Sequence, residues 1–553
     1  MLKKPSFAAA KSAVSKILAI PLVCAFWWIC VDSYPFWRLA ISSMGTPRGA
    51  DASFFAEALV IFICAVAAVI ALLQAMLGVR AVKALLSLLS VIGAGGFAFS
   101  VLYNAVMSPD MLRNALATDT HEVMGLMSLP LFGYFALGAV PVCVFLWFFP
   151  REGLSGGAFR LKSLGLSLAL FAAAGATLYV SMQDLSFFMR GHREARYLIA
   201  PFNVVYSAIR TQAHDKSPDS NAPRAVVDAS PALAKTPGSK PLVVVVAVGE
   251  TARAANWGLD GYARDTTPEL RALGVTNYAQ ASACGTSTDV SVPCMFSRIG
   301  RRNYDRKQIL AEEPLAPLLK RAGVSVKWIE NQSGCKGACL GVDLDRPKDH
   351  LSDADRAKLC PDGLCFDEVL TPYVKDPAVG SAPVTVLFLH MAGSHGPAYA
   401  LRYPQQREKW GPVCSKVNLS DCDPKELRNA YDNSILHTDH VLAQFIGALK
   451  DKKDADTVLL YASDHGESLG EKGMYLHGAP WSIAPSEQTR IPMVLWMSDG
   501  FKKRQGIDER CVAERAQKPS SHDNLWSTIL GLAGVSSTSY KSEDDLLGAC
   551  RRH

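Results

Sequence analysis

The chain runs to 553 residues, 49% of them hydrophobic, which is long enough for more than one domain. Its formal charge of +6 is unevenly spread: 16 Lys and Arg against 9 Asp and Glu through residue 213, then 41 against 42. The basic excess lies in the most apolar part of the chain, so the composition argues against a nucleic-acid partner.

Nearly all long apolar runs precede residue 185. They predict five membrane helices over 16–35, 55–78, 82–104, 125–149 and 162–182, each near the ~20 residues that span a bilayer. A buried helical core explains consecutive uncharged runs poorly. The first run ends in Trp27-Trp28 and Tyr34-Pro35-Phe36-Trp37 rather than in small residues, as a retained anchor does and a cleaved signal peptide does not. Lys3, Lys4, Lys11 and Lys16 precede it, and Arg80, Lys83, Arg151, Arg160 and Lys162 occupy the second and fourth loops. The first and third loops are acidic, with Asp32, Asp51, Glu57, Asp110, Asp119 and Glu122. The positive-inside rule then sets the N-terminus in the cytoplasm and everything after residue 185 outside.

In the third loop Asn114, Thr118 and Glu122 recur every four residues and share one helix face. On spacing alone that is an ordinary solvated face. Residues 183–213 mix aromatics with Arg and suit an amphipathic helix at the membrane surface. Residues 214–240 are rich in Pro, Ser and Ala and form a linker. The expected organisation is a five-helix membrane domain at 1–182, an interfacial helix and linker at 183–240, and a soluble domain at 241–553.

From residue 241 the pattern alternates between strands (242–248, 324–329, 384–390, 457–462, 491–496) and helices (267–273, 313–322, 425–450, 522–533). It predicts an α/β domain with a mainly parallel sheet. Two strands end in metal-ligand chemistry: one runs into Gly249-Glu250, another into Asp464-His465-Gly466. A third precedes Gly393-Ser394-His395-Gly396. Ligands sit outside the carboxyl ends of such strands.

Between Cys284 and Cys294 lie four hydroxyls, Thr286, Ser287, Thr288 and Ser291. A hydroxyl is a weak nucleophile until a base or metal removes its proton. Glu250, Asp464, His465 and one of these hydroxyls form a mixed oxygen and nitrogen set suited to Zn²⁺. Composition leaves the choice among the four open. Lys336, in the loop Asn331-Gln332-Ser333-Gly334-Cys335-Lys336, suits a phosphate oxygen or a purely structural role. His395 and His477, each followed by glycine, read alone as satisfied loop histidines.

Cys24, Cys30, Cys64 and Cys143 fall in the predicted membrane helices. The ten cysteines after residue 280 fall into pairs, Cys284-Cys294, Cys335-Cys339, Cys360-Cys365, Cys414-Cys422 and Cys511-Cys550. In an exported domain they read as disulfides, in preference to a zinc ribbon at 335/339/360/365.

Taken together, Gly-Glu-Thr-Ala-Arg (249–253), Cys-Gly-Thr-Ser-Thr (284–288), Ser-His-Gly-Pro (394–397) and Ser-Asp-His-Gly-Glu (463–467) carry a resemblance. The chain resembles the phosphoethanolamine transferases that modify lipid A, the mobile colistin-resistance enzymes among them. The resemblance implies an alkaline-phosphatase/sulfatase-like catalytic domain in the periplasm, carried by a multi-pass inner-membrane protein that acts as a monomer among bilayer lipids. Thr288 would be the nucleophile, and Glu250, Thr288, Asp464 and His465 would hold one zinc. His395, His477 and Lys336 would hold the phosphate or a second zinc. Asn114, Thr118, Glu122, Asn331 and Gln332 would contact the substrate headgroup; Gln332 stands where relatives more often carry Asn.

The reaction so implied moves phosphoethanolamine from phosphatidylethanolamine, through a covalent threonine intermediate, to lipid A of lipopolysaccharide. It would lower the negative surface charge and give resistance to polymyxin and cationic peptides. The alternatives are a related sulfatase- or phosphodiesterase-type hydrolase and transfer to another lipopolysaccharide-core acceptor. An inactive membrane scaffold would require a lost ligand or nucleophile, and none is lost.

Overall fold

The computed structural model describes residues 7–44, 52–117, 123, 126–150, 154–214, 224–234, 240–363, 365–416 and 419–552. The chain divides into two compact units: 1–112 with 127–210, and 113–126 with 211–553.

The first unit is helical. Among the described residues, four helices are long and apolar enough to cross a membrane, within Ala52–Leu77, Val79–Tyr103, Leu129–Phe148 and Gly156–Gly191. A fifth span arises if Ile17–Asp32 and Tyr34–Ser42 count together, bent by 51°. The bend falls at Ser33-Tyr34-Pro35, where proline cannot continue the preceding helix but fits the first turn of the next. Small residues permit close packing: a Cβ on Gly138 would stand 2.8 Å from that of Ala94. Two buried polar pairs join neighbouring helices, with Trp28 Nε1–H donating to Ser90 Oγ at 3.0 Å and Ser167 Oγ donating to the Ala68 carbonyl at 2.9 Å.

Large apolar side chains such as Phe132, Val140, Phe148, Leu168 and Val180 point outward, as contact with lipid chains requires. One expectation is amended. The last long helix continues to Gly191, through the start of the predicted interfacial stretch, because no helix breaker intervenes; the chain then turns and forms Phe202–His214.

The second unit is built on a seven-stranded sheet. Its strands are β1 (Leu242–Gly249), β2 (Thr276–Asn277), β3 (Ser325–Glu330), β4 (Asp343–Asp345), β5 (Val384–His390), β6 (Asp456–Ser463) and β7 (Met493–Met497). The order is β2-β7-β6-β1-β5-β3-β4. The five strands from β6 to β4 are parallel, and β7 and β2 close one side antiparallel. The five predicted strands are present; the short, polar edge strands β2 and β4 carry too little pattern to be read.

β1 is apolar throughout because both its faces are covered. Val244, Val246 and Val248 join Trp328, Phe388, Leu318 and Leu530 on one side. Val243, Val245 and Ala247 join Tyr431, Val441 and Phe445 of the helix Pro424–Asp451 on the other.

Register matters most at the carboxyl edge. Gly249 pairs with Ser463, Val248 with His390 and His390 with Glu330. The next residues, Glu250 and Asp464, therefore leave adjacent central strands side by side.

The helix Thr288–Met295 is tied to this core by the residue after it. Phe296 meets Trp328 and Phe388 edge-on at 5.6 and 5.3 Å, and those two stack at 5.2 Å. Phe296→Ala should lower unfolding stability by about 3–5 kcal/mol. The check is a denaturant titration of the purified protein, and a midpoint equal to that of the parent would contradict this anchoring.

Candidate active site

Glu250, Asp464 and His465 are fully buried and each offers a ligand atom within 4.8 Å of the others; among the described residues they form one such group. The site is built from β-strand ends and tight turns. Asp464 Oδ1 accepts the backbone N–H groups of Thr251 (3.2 Å) and His465 (2.7 Å), while Oδ2 has no hydrogen-bond partner. His465 Nδ1–H donates to the Gly466 carbonyl at 2.9 Å, which leaves the Nε2 lone pair directed at the carboxylates. Burial holds the His465 pKa below the ordinary histidine value, in the neutral form a ligand needs. An unspent carboxylate oxygen, an available imidazole nitrogen and a second carboxylate, all shielded from water, fit a divalent metal ion of the zinc type.

The cysteine loop supplies the hydroxyl. Thr288 Oγ1 lies 3.3 and 3.2 Å from the two oxygens of Glu250 and 3.4 Å from His465 Nε2. The other hydroxyls are engaged elsewhere or lie apart. Thr286 Oγ1 donates to the Ala479 carbonyl at 2.6 Å, Ser291 Oγ donates to the Asp464 carbonyl, and buried Ser287 Oγ has no partner. Ser287 is also the N-cap of the helix and makes no side-chain capping bond, which leaves the N–H groups at its start uncapped by that side chain. The Cys284–Cys294 disulfide closes the loop, and the four other expected pairs are joined as well. Cys24, Cys30, Cys64 and Cys143 are free thiols.

His395 and His477 extend the cluster. Their rings are 5.1 Å apart, and the His477 ring is 4.5 Å from that of His465. Both are buried rather than exposed loop residues. His395 Nδ1–H donates to the Gly396 carbonyl at 2.8 Å, and burial, with His477 beside it, keeps its pKa well below the usual value. Glu467, which sequence reasoning passed over as a site residue, lies 3.3 Å from His477 Nδ1, and burial pushes its pKa up to about 8.

Backbone strain is concentrated around these groups. Thr251, Lys336 and Leu476 have φ of 51°, 48° and 63°, and each adjoins or belongs to the site. A positive φ on a non-glycine residue costs on the order of 1–3 kcal/mol and persists only where the surroundings enforce it. At Gly393 (φ 52°) a Cβ would stand 2.5 Å from the Glu250 carbonyl oxygen, so only glycine lets the His395 loop close on the ligand strand.

Other expected residues are placed less centrally. Lys336 Nζ donates to Ser333 Oγ (2.9 Å) and the Ser333 carbonyl (3.2 Å). Asn331 Nδ2 turns to Asp367 Oδ1 (2.8 Å) and the Cys365 carbonyl (3.2 Å), whereas Gln332 Nε2 donates to Glu250 Oε2 at 2.8 Å. Asn114 lies on the helix Pro109–Ala117; Thr118 and Glu122 lie outside the described residues.

Two buried residues that the sequence did not single out hold the loops in place. Asp367 accepts the N–H groups of Ala392 (2.7 Å) and Gly393 (2.9 Å) as well as Asn331. His522 accepts the Cys284 N–H at Nδ1 (3.0 Å) and donates Nε2–H to the Ser463 carbonyl (2.9 Å), bridging the cysteine loop and the Asp464 strand. Only the capping signal Ser521-His522-Asp523-Asn524 marks the segment in sequence.

Known proteins resemble the chain over both units. Residues 241–535 match the sulfatase family, and residues 59–215 match the family described as phosphoethanolamine transferase EptA/EptB. The phosphoethanolamine transferase EptA of Salmonella typhimurium is 35% identical over 469 residues, 83% of this chain and 84% of that one. The phosphatidylethanolamine transferase Mcr-1 of Escherichia coli is 34% identical over 459 residues, 81% and 83% of the two chains. The structure of the integral membrane lipooligosaccharide phosphoethanolamine transferase A from Neisseria meningitidis superimposes with a TM-score of 0.89 at 34% identity, covering 97% of this chain and 99% of that one.

Burial lowers the His522 pKa from 6.5 to about 4, and the Cys284 N–H facing Nδ1 leaves no acceptor for a second proton. Between those values the unfolded chain takes up a proton that the folded chain refuses, so stability falls as pH falls from 6.5 through about 4 and levels below. The full difference corresponds to about 3 kcal/mol. His522→Gln should flatten the acid limb of the stability profile over that window; parallel profiles for the two proteins would refute this role.

Proposed function

This chain belongs to the EptA/EptB phosphoethanolamine transferase family, and we propose that it carries phosphoethanolamine from phosphatidylethanolamine to lipid A through a covalent intermediate on Thr288. The observation that carries the reading is the approach of one buried hydroxyl, Thr288 Oγ1, to Glu250 and His465 at hydrogen-bond range. The relatives' names supply the substrate classes, phosphatidylethanolamine for Mcr-1 and lipooligosaccharide for the Neisseria protein.

Zinc, held by Glu250, Asp464, His465 and the Thr288 hydroxyl, would supply positive charge that lowers the hydroxyl pKa and offsets charge developing on phosphorus. In the first half-reaction Thr288 Oγ1 forms a bond to the phosphorus of phosphatidylethanolamine. The bond from phosphorus to the glycerol oxygen breaks, and diacylglycerol leaves with the proton lost by Thr288. In the second, an oxygen of the lipid A acceptor attacks the same phosphorus, and Thr288 recovers a proton as its bond breaks. The uncapped N–H groups at the start of Thr288–Met295 would hold the non-bridging oxygens through both displacements. His395, His477 and Lys336 would bind the phosphate or hold a second ion, and Asn114, Thr118, Glu122 and Asn331 would receive the ethanolamine end. All the candidate groups come from one chain, so a monomer suffices.

The loop charges favour a cytoplasmic N-terminus, and the five disulfides suit an oxidising periplasm. In an inner membrane with this orientation the catalytic unit meets lipid A before its export. Phosphoethanolamine on lipid A would reduce negative surface charge and with it the binding of polymyxin.

Mass spectrometry of lipid A from cells with and without the protein tests the reading, with an added phosphoethanolamine group expected; unmodified lipid A under full expression would refute it. Thr288→Ala should lower transfer by ~10³-fold or more while zinc content stays near that of the parent. Substantial turnover with modified Thr286 would move the nucleophile.

Glu122→Ala should weaken use of phosphatidylethanolamine, each 1.4 kcal/mol of lost donor binding appearing as about tenfold, and spare hydrolysis of a small soluble phosphoester. Equal losses on both substrates would assign Glu122 to the fold.

A further inference from the structure

Gln332 is the residue whose observed contacts depart most from a headgroup role. We propose that it is a positioning residue for Glu250, fixing the rotation of that carboxylate so that it can grip a divalent metal ion; this rests on the metal-site reading above.

A glutamate carboxylate turns easily about its last bond, since that torsion has only broad, shallow minima. Glu250 sits at the end of the central strand, fully buried, where the wrong rotation would direct an oxygen away from His465 and Asp464. The Gln332 contact opposes this and, unlike the Thr288 hydroxyl at 3.3 and 3.2 Å from the two oxygens, singles out one of them. Gln332 Nε2 donates to Glu250 Oε2 at 2.8 Å, while Oε1 is the oxygen 3.4 Å from His465 Nε2.

The donor is itself immobilised. Gln332 Oε1 accepts the N–H of Ser333, so the amide cannot flip without losing both bonds. The Gln332 backbone N–H donates to Glu330 Oε1 at 2.9 Å, and Gly334 N–H reaches the same oxygen at 3.1 Å. The other Glu330 oxygen takes the Trp328 Nε1–H and His390 Nδ1–H, both at 3.0 Å. Glu330 and His390 are buried with a carboxylate facing an imidazole, an arrangement in which each holds the other charged.

A continuous set of hydrogen bonds thus runs from the sheet core through Glu330 and the loop to Gln332 and the carboxylate. Asn331 cannot substitute, because its amide N–H donors are committed to Asp367 and Cys365. An asparagine at 332 would be one methylene too short to keep both ends of the contact. Groups that orient a metal's ligands typically change metal affinity by about 10–100-fold when removed. Gln332, then, serves the metal ligand rather than the ethanolamine.

The test is competitive Zn²⁺ titration of the full-length protein in detergent, stripped of metal and read with a chelating dye, for the parent, Gln332→Ala and Gln332→Asn. Both variants should bind Zn²⁺ about 10–100-fold more weakly, with metal-free unfolding midpoints equal to that of the parent. Absorption of the Co²⁺ forms should also change in both variants. Unchanged Zn²⁺ affinity in Gln332→Ala, with the parent binding normally, would overturn the inference and leave the metal site standing. A loss of affinity matched by a loss of metal-free stability would assign Gln332 to the fold and overturn it too. A parent chain that binds no Zn²⁺ would bring down both the inference and the metal-site reading.

Discussion

Two carboxylates, Glu250 and Asp464, leave the ends of neighbouring parallel strands into a region closed to water. Like charges so placed repel, and each would prefer hydration. Burial of this kind is tolerated only with compensation by donors and positive charge. The backbone N–H groups of Thr251 and His465, the amide N–H of Gln332 and the Thr288 hydroxyl converge on the pair as donors. A divalent ion would complete the neutralisation. The strained Thr251, the close approach of Gly393 and the disulfide-closed loop follow from fitting these groups around two adjacent carboxylates.

The Thr288 hydroxyl has little freedom. Its loop is closed by a disulfide, its helix is anchored by Phe296 under Trp328 and Phe388, and its start is tied through the Cys284 N–H to His522. Ser291 on the same helix bonds the Asp464 carbonyl. The hydroxyl and the carboxylates are therefore fixed to one another through several independent contacts. Such rigidity would let the hydroxyl and a metal ion act together without reorganisation during phosphoryl transfer. The helical unit answers a different requirement: the large side chains exposed on Leu129–Phe148 are apolar, and Trp28 with Ser90 and Ser167 with Ala68 pair between helices.

Much was legible in the sequence because the relevant physics is local. Strands buried on both faces are continuous apolar runs, and spans must be about 20 apolar residues long. Four of the five disulfides join cysteines no more than 10 residues apart. Glu250 and Asp464-His465 stood out because a charged group directly after an apolar strand lies at the carboxyl edge of the sheet.

The choice among neighbours was decided only in three dimensions. Thr286, Ser287, Thr288 and Ser291 share a loop, and composition cannot tell which one faces Glu250; the helix beginning at Thr288 does, by turning Thr286 to Ala479 and Ser291 to Asp464. Asn331 and Gln332 are adjacent amides with opposite directions, one toward Asp367 and one toward Glu250. His522 and Asp367 come from segments distant in sequence, 59 residues from Ser463 and 36 from Asn331, and no local pattern points either side chain at the site. Composition and periodicity determined the strands, spans and chemical groups available, because those depend on neighbours along the chain. Which atom meets which depended on sheet register and loop closure, which are properties of the folded chain as a whole.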